Sequence, residues 1–299
     1  MTRTADANTS FDTVLFESKI VSIGKFRAHP RQPGFSDSGP TRGFLVVFPR
    51  TLVRIAHEGR EPFVAGPDLV TYYNRGQVYR RESVHGLPDR CEWFSFSPDA
   101  LLDALRPHDP AAADRADSLF SFSSGPSDVE SYFRQRRVVD ALTASAADAW
   151  EVEETMLRVL ERLIAARYRE RRVFKDAPHG DAARRRSRAV ADEARVELGR
   201  SFRASGGIST LARTLGVSPF ELCRIFRRET GTTLQAFRER LRLAAALETL
   251  RESGQDLTGI ALDLGYSSHS HFSSSFRRHY GVTPSAARAG SPIGPRVQR

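Results

Sequence analysis

The stretch Ile260-Ala-Leu-Asp-Leu-Gly-Tyr-Ser-Ser-His-Ser-His-Phe-Ser-Ser-Ser-Phe-Arg-Arg-His-Tyr-Gly-Val-Thr-Pro-Ser-Ala-Ala-Arg288 has an earlier copy in the same chain. Ile208, Leu211, Ala212, Leu215 and Gly216 correspond to Leu257, Ile260, Ala261, Leu264 and Gly265 at an offset of 49. Beyond the turn, Phe226, Arg228, Gly231 and Thr233 correspond to Phe276, Arg278, Gly281 and Thr283 at an offset of 50, so one residue has been added just after the glycine. Two copies of a two-helix pattern make a duplicated helical unit rather than a long array.

Each copy has the chemistry of a helix-turn-helix. The first helix is expected to bury Leu211 and Leu215, and Ala212 stays small where the second helix crosses. Gly216 supplies a left-handed turn that costs other residues energy. Ser218 is placed to cap the second helix, with Pro219 at the first helical position where a missing N–H is harmless. Leu222, Ile225 and Phe226 face inward and leave Phe220, Cys223, Arg224 and Arg227 outside. In the second copy Ala261 and Gly265 repeat the device and Ser268 caps. There Phe272, Phe276 and Tyr280 form the inner stripe, with His269, Ser270, Ser273, Ser274 and Arg277 outward. Between the copies, Thr233–Arg251 is expected as a long helix with Leu234, Phe237, Leu241, Ala245 and Leu250 on its buried side. It would hold the two outer helices about one turn of DNA apart, ~34 Å.

Charge agrees with that placement. Over 299 residues there are 45 Lys+Arg and 36 Asp+Glu, a net charge of +9. Residues 1–180 carry 25 of each sign, whereas residues 181–299 carry 20 basic side chains, all Arg, against 11 acidic ones. A cationic segment joined to a neutral one points to a polyanion-binding module beside a part with another task. The 40% apolar fraction gives each part a core and excludes a disordered or fibrous chain. No apolar run approaches the ~18 residues of a membrane span, and the polar start MTRTADANTSF has no signal-peptide character. The expected location is the cytoplasm, with no membrane partner. Cys91 and Cys223, one in each half, match neither a disulfide framework nor a paired zinc motif and are expected reduced.

From Phe11 to about Pro98 the pattern is extended. Phe44–Phe48, Leu52–Ile55, Leu69–Tyr73 and Cys91–Phe96 are rich in β-branched and aromatic residues, with turn signals at His57–Gly59, Ala65–Pro67, Asn74–Gly76 and His85–Pro88. That spacing suits a β-barrel or sandwich. Helical signals take over at Pro98-Asp99 and again at Ser127-Asp128, whose helix runs to about Ala144. A third helix, from Asp148 to about Arg172, carries Val152, Met156, Leu157, Leu160, Leu163 and Ile164 as one apolar stripe. Val152, Met156, Leu160, Leu163 and Ile164 are candidates for dimerisation, and the same stripe serves equally to pack on its own domain. Lys175–Arg188, with Pro178, Gly180 and Arg184-Arg185-Arg186, reads as a linker running into a basic helix.

The quoted stretch resembles the C-terminal signature of the AraC/XylS family of bacterial transcription regulators. The first copy is similar through Leu211-Ala212, Leu215-Gly216-Val217-Ser218, Arg224-Ile225-Phe226-Arg227 and Gly231, and about 105 residues are covered in all. The resemblance implies seven helices, two helix-turn-helix units and promoter half-sites bound by a dimer. It places Phe220, Cys223 and Arg224 at base-contact positions in the first unit and His269, Ser270 and Ser273 in the second. Arg227, Arg228, Ser267, Ser274 and Arg277 join them as DNA-binding candidates. Arg224 is the strongest physically, because its fork matches guanine O6 and N7; Cys223 reads equally as an incidental small surface residue. Two positions depart from the family. Ser274 stands where an Arg is common, which implies weaker or more shape-based reading by the second unit, and Ala287 replaces an aromatic, which loosens the last helix.

Phe63-Val-Ala-Gly-Pro-Asp-Leu-Val-Thr-Tyr-Tyr-Asn-Arg-Gly-Gln-Val-Tyr79 is similar to the family's cupin-like sensing domain. The expected architecture is α+β: residues 1–175 a cupin-like β-barrel with a helical hairpin after about 98, residues 176–187 a linker, residues 188–290 an all-α double helix-turn-helix domain, residues 291–299 a tail. His29, His57 and His85 stand apart, and His269 and His271 sit two apart on a helix where side chains diverge, so no metal and no cofactor are expected. The function expected is a non-enzymatic, sequence-specific regulator of promoter DNA, a homodimer with a small-molecule effector and RNA polymerase among its candidate partners. The alternatives are a metal-dependent cupin enzyme with an accessory DNA-binding domain and a non-specific architectural DNA binder.

Overall fold

The computed structural model describes residues 11–173, 181–204, 206–252 and 254–289. The described residues divide into two units, those up to Arg172 and those from Val173 onward.

The first unit is rich in sheet. Its strands are β1 Phe11–Glu17, β2 Val21–Ala28, β3 Asp37–Ser38, β4 Phe44–Pro49, β5 Val53–His57, β6 Phe63–Ala65, β7 Leu69–Tyr73, β8 Tyr79–Ser83, β9 Asp89–Phe96 and β10 Ser124–Pro126. They form two antiparallel sheets, β1-β2-β9-β4-β7-β10 and β3-β8-β5-β6. Neither sheet closes on itself, so the expected barrel is instead a pair of open sheets. One reason is visible at the β10 edge, which is three residues long and ends at Pro126, a residue with no N–H to extend the ladder.

The two faces of β9 show what this arrangement does. Alternate residues Glu92, Phe94 and Phe96 are buried on one face, as are Phe44, Val46 and Phe48 of neighbouring β4. Cys91, Trp93 and Ser95 point the other way and line a cavity together with residues of the second sheet. Glu92 is fully buried yet lies 3.0 Å from Arg50 and 2.6 Å from Arg136, so its charge is compensated where a lone carboxylate would be costly. Arg136 belongs to α2, and the pair therefore pins that helix to the sheet.

The helices of this unit are α1 Pro98–Leu105, α2 Val129–Thr143 and α3 Ala149–Val173, with a 3-10 turn at Pro110–Asp114. Asp128 caps α2, accepting from the Ser131 amide at 3.1 Å, and Arg162 of α3 reaches Asp128 and Glu130 at 2.9 Å each. Those contacts make α2 and α3 an antiparallel hairpin. The stripe on α3 settles against its own unit: Val152, Met156, Leu160, Leu163 and Ile164 are each no more than 1% exposed. They are corrected from dimerisation candidates to core, because a dimer through them would have to unpack the fold.

In the second unit the helices are α4 Asp181–Ser201, α5 Ile208–Thr214, α6 Pro219–Thr230, α7 Leu234–Glu252, α8 Leu257–Asp263, α9 His269–Tyr280 and α10 Pro284–Arg288. These are seven among the described residues, the number the resemblance implies. Residues 181–187, expected as linker, are already helix; Lys175, Pro178, Gly180 and residues 291–299 lie outside the described residues. Ala191, Ala194 and Leu198 of α4 pack with Leu222 and Phe226 of α6 and with Phe237 of α7. Helix α7 is buried further round than the expected single side: Leu243, Ala244, Ala246 and Leu247 join Leu234, Phe237, Leu241 and Leu250 in the core, and Ala245 is only half-buried. A helix apolar around most of its circumference is one with neighbours on several sides, and α4, α6, α8 and α10 all touch α7. Among the described residues no helix is long and apolar enough to cross a membrane.

Candidate nucleic-acid interface

The two turns are built alike, down to individual amide bonds. After α5, Gly216 N–H donates to the Arg213 carbonyl at 3.2 Å and Val217 N–H to Ala212 at 3.1 Å. After α8, Gly265 N–H donates to Leu262 at 2.9 Å and Tyr266 N–H to Ala261 at 3.0 Å. This pair of bonds is the Schellman closure of a helix end, which needs a left-handed residue between them. Gly216 and Gly265 supply it with φ of +65° and +81°. The glycines differ in their surroundings. A side chain at Gly216 would meet open space, whereas at Gly265 a Cβ would fall 2.2 Å from the Arg203 carbonyl oxygen and 2.7 Å from Arg242. Ala212 and Ala261 are both buried at the crossing, at 1% and 0% exposure.

Both outer helices begin on a serine cap. Ser218 Oγ accepts from the Glu221 amide at 3.1 Å, and Ser268 Oγ from the His271 amide at 3.1 Å. Each ends on a left-handed glycine, Gly231 or Gly281. Their inner stripes are buried as expected: Leu222, Ile225 and Phe226 in α6, and Phe272, Phe276 and Tyr280 in α9. The α9 rings interlock edge to face, with centroids 5.7 and 4.8 Å apart.

The outward faces are chemically unequal. On α6, Phe220 is 79% exposed, and Cys223, Arg224 and Arg227 are exposed beside it. Neither Arg224 nor Arg227 has an ion pair among the described residues, so both charges face solvent uncompensated. Arg228 is half-buried and directed at Glu229, 3.1 Å away, which leaves it a weaker phosphate contact than the sequence suggests. On α9, Ser270, Ser274 and Arg277 are exposed. His269 and Ser273 are half-buried and paired with each other at 3.1 Å, and Ser267 Oγ lies 3.3 Å from His271 Nδ1. The outer face of α6 therefore offers a bulky aromatic and two free guanidinium groups, and that of α9 short hydroxyls and imidazoles beside the guanidinium of Arg277.

Positioning groups that the sequence pattern did not single out lie behind α9. Tyr266 is buried and donates from its hydroxyl to Glu239 of α7 at 3.0 Å; burial and that carboxylate push its pKa up, so it stays a neutral donor. Arg242 donates to the Phe202 carbonyl at 2.7 Å and lies over the Tyr266 ring. An apolar residue directly after a Schellman glycine is the signal that marks Tyr266. His279 is half-buried near Arg240 and Arg278; burial, then those charges, lower its pKa to about 4, so it is neutral beside the cationic face. Ala287, half-buried, leaves α10 to be held partly by Arg288, which donates to the Gln255 carbonyl at 2.8 Å. Among the described residues no three His, Cys, Asp or Glu gather as a metal site, and the metal-dependent enzyme alternative finds no support.

Two capped, outward-facing helices on equivalent turns, braced by one buried helix, define a double helix-turn-helix DNA-binding unit. A family model described as a helix-turn-helix domain matches residues 211–290. The regulatory protein SoxS of Salmonella typhimurium is 40% identical over 81 residues, 27% of this chain and 76% of that protein. The HTH-type transcriptional regulator GlxA of Rhizobium meliloti is 40% identical over 84 residues, 28% of this chain and 26% of its own length. A solved transcriptional regulator of Chromobacterium violaceum with an AraC-type DNA-binding domain is 30% identical, covering 36% of this chain and 97% of that one at a TM-score of 0.34. The chain belongs to the AraC family of helix-turn-helix transcription regulators. The alignments with SoxS and GlxA cover only 27–28% of the chain, and this chain spans about a quarter of the length of GlxA.

Proposed function

We propose that this protein is a sequence-specific regulator that reads promoter DNA with α6 and α9, while the first unit, a cupin-like pair of sheets, senses a small molecule. The observation that carries the reading is the uncompensated Arg224 and Arg227 on a helix whose N-terminal turn is exposed, repeated in outline by Arg277 on α9. In this reading Arg224 contacts a base edge, Phe220 packs on a thymine methyl, and Arg227 and Arg277 clamp phosphates. Ser270, Ser273 and His269 read the second half-site through short polar contacts. Assembly as a homodimer, cytoplasmic location and contact with RNA polymerase belong to the same proposal, supported by family membership. Dimerisation would use a surface other than the α3 stripe.

The test is retention of genomic fragments by the full-length protein, followed by titration of an enriched duplex against a scrambled one. The proposal expects a clear preference for the enriched duplex and a steep loss of affinity with salt, as counterion release from several Arg–phosphate contacts requires. Arg224→Ala should cost ~1–3 kcal/mol and relax preference at one base position. Equal affinity for both duplexes would favour an architectural binder, and a uniform loss on Arg224→Ala would make that residue a phosphate contact only.

A further inference from the structure

The first unit contains a cavity of about 690 Å³ between its two sheets. This is within the size range of small-molecule sites. Its interior walls are Val47, Val53, Ile55 and Tyr73, all buried, while exposed Asp12, Glu17 and Arg42 stand at its rim.

The buried polar groups on the wall decide what it can hold. Arg81 and Asp89 are 5% and 6% exposed and form an ion pair at 3.0 Å that bridges the second sheet to the first. Arg81 also donates to Ser38 and to the Tyr79 hydroxyl, 3.3 Å away, and its guanidinium lies 4.4 Å from the Phe26 ring centroid. Its charge is thus already matched. The other titratable groups inside are neutral: burial raises the phenols of Tyr73 and Tyr79 and the thiol of Cys91. A carboxylate ligand seated between the sheets would find no unmatched cation on the buried walls, and an ammonium ligand no unmatched anion, since the charges of Asp12, Glu17 and Arg42 stand at the exposed rim. Either would lose its hydration without compensation.

The geometry points to an uncharged, apolar-bodied ligand with a hydroxyl or amide edge, its body against Val47, Val53 and Ile55 and its polar edge toward the Arg81–Asp89–Tyr79 wall. This rests on the reading of the first unit as the sensing part and adds the ligand's chemical class.

Trp93 lines the cavity and Trp150 is 83% exposed; they are the chain's two tryptophans. Full-length W150F protein therefore reports through Trp93 alone, and it is titrated with 2-naphthol, 2-naphthoate and 2-naphthylmethylammonium, three probes of similar size and different charge. Saturable quenching by 2-naphthol, with both charged probes at least tenfold weaker, is the expected result. Asp89→Asn in the same background leaves Arg81 unmatched and should strengthen 2-naphthoate at least tenfold. Equal or tighter binding of either charged probe to the W150F protein overturns the inference, as does absence of saturable binding by all three. Should Asp89→Asn fail to fold, the three-probe ranking decides alone. Retention of an enriched duplex by the same preparation is measured separately, so failure of the ligand class and failure of the regulator reading are told apart.

Discussion

Replacing Gly216 and Gly265 by alanine in turn should separate two costs that the repeat makes look identical. Both positions are left-handed, at φ +65° and +81°, so each alanine carries the strain of that conformation, ~1–2 kcal/mol. A stiffer unfolded chain offsets ~0.4–1 kcal/mol of it. Gly216→Ala meets nothing within 4 Å and should end near ~1 kcal/mol of destabilisation. Gly265→Ala places its methyl 2.2 Å from a backbone oxygen, when ordinary contact begins at 3.4 Å. The segment carrying Arg203 must move by about 1 Å, and overpacking of that kind adds ~1–3 kcal/mol. The two variants should therefore differ by ~1–3 kcal/mol, or about 4–12 °C in the melting of a unit this size. Calorimetric melting of full-length protein resolves the second unit's transition, and the first unit's should not move. Equal shifts for the two variants would refute the argument that packing, rather than the turn alone, requires the second glycine.

Ser274→Arg should add a phosphate contact to α9 and steepen the salt dependence of DNA binding by about one unit of slope; an unchanged slope would mean that Ser274 does not face the backbone. Glu92→Gln removes the fully buried carboxylate that Arg50 and Arg136 share, leaves Arg136 its longer pair with Asp140 at 3.6 Å, and should lower the first unit's stability by ~3 kcal/mol, read as its denaturation midpoint. His57 is 2% exposed among Phe63, Tyr73 and Tyr79, and burial, then Arg60, lowers its pKa to about 4. Between pH 6.5 and about 4 the unfolded state binds the proton and the folded state does not. Stability is therefore complete above that window and falls on acidification through it, by up to ~1.4 kcal/mol per pH unit. His57→Phe should flatten that part of the first unit's pH profile, and an unaltered profile would place the titration elsewhere.

The double helix-turn-helix unit was legible because its devices are local. A glycine that closes a Schellman bond pair, a serine cap and a three- to four-residue apolar stripe are all set by residues a few positions apart. The same locality explains why Ala212, Leu222 and Phe226 are core as expected, whereas Leu211 and Leu215, expected buried, are only half-buried against that core. The α3 stripe was ambiguous for the opposite reason: the pattern specifies an apolar face and says nothing about what covers it. Arg228 is a local matter instead: the carboxylate that takes up its charge belongs to the adjacent Glu229, 3.1 Å away.

By itself, then, the sequence determined that this chain carries two helix-turn-helix units on a cationic segment, because short-range geometry and charge sum without reference to distant residues. Only the tertiary structure decided that Val152, Met156, Leu160, Leu163 and Ile164 are core, that Glu92 is shared by two arginines, and that the strands form two open sheets around a cavity walled in part by the Arg81–Asp89 pair. Those outcomes depend on which residues meet across gaps such as the 44 positions from Glu92 to Arg136. Such contacts arise from competition among all buried surfaces at once, and no local pattern encodes its result.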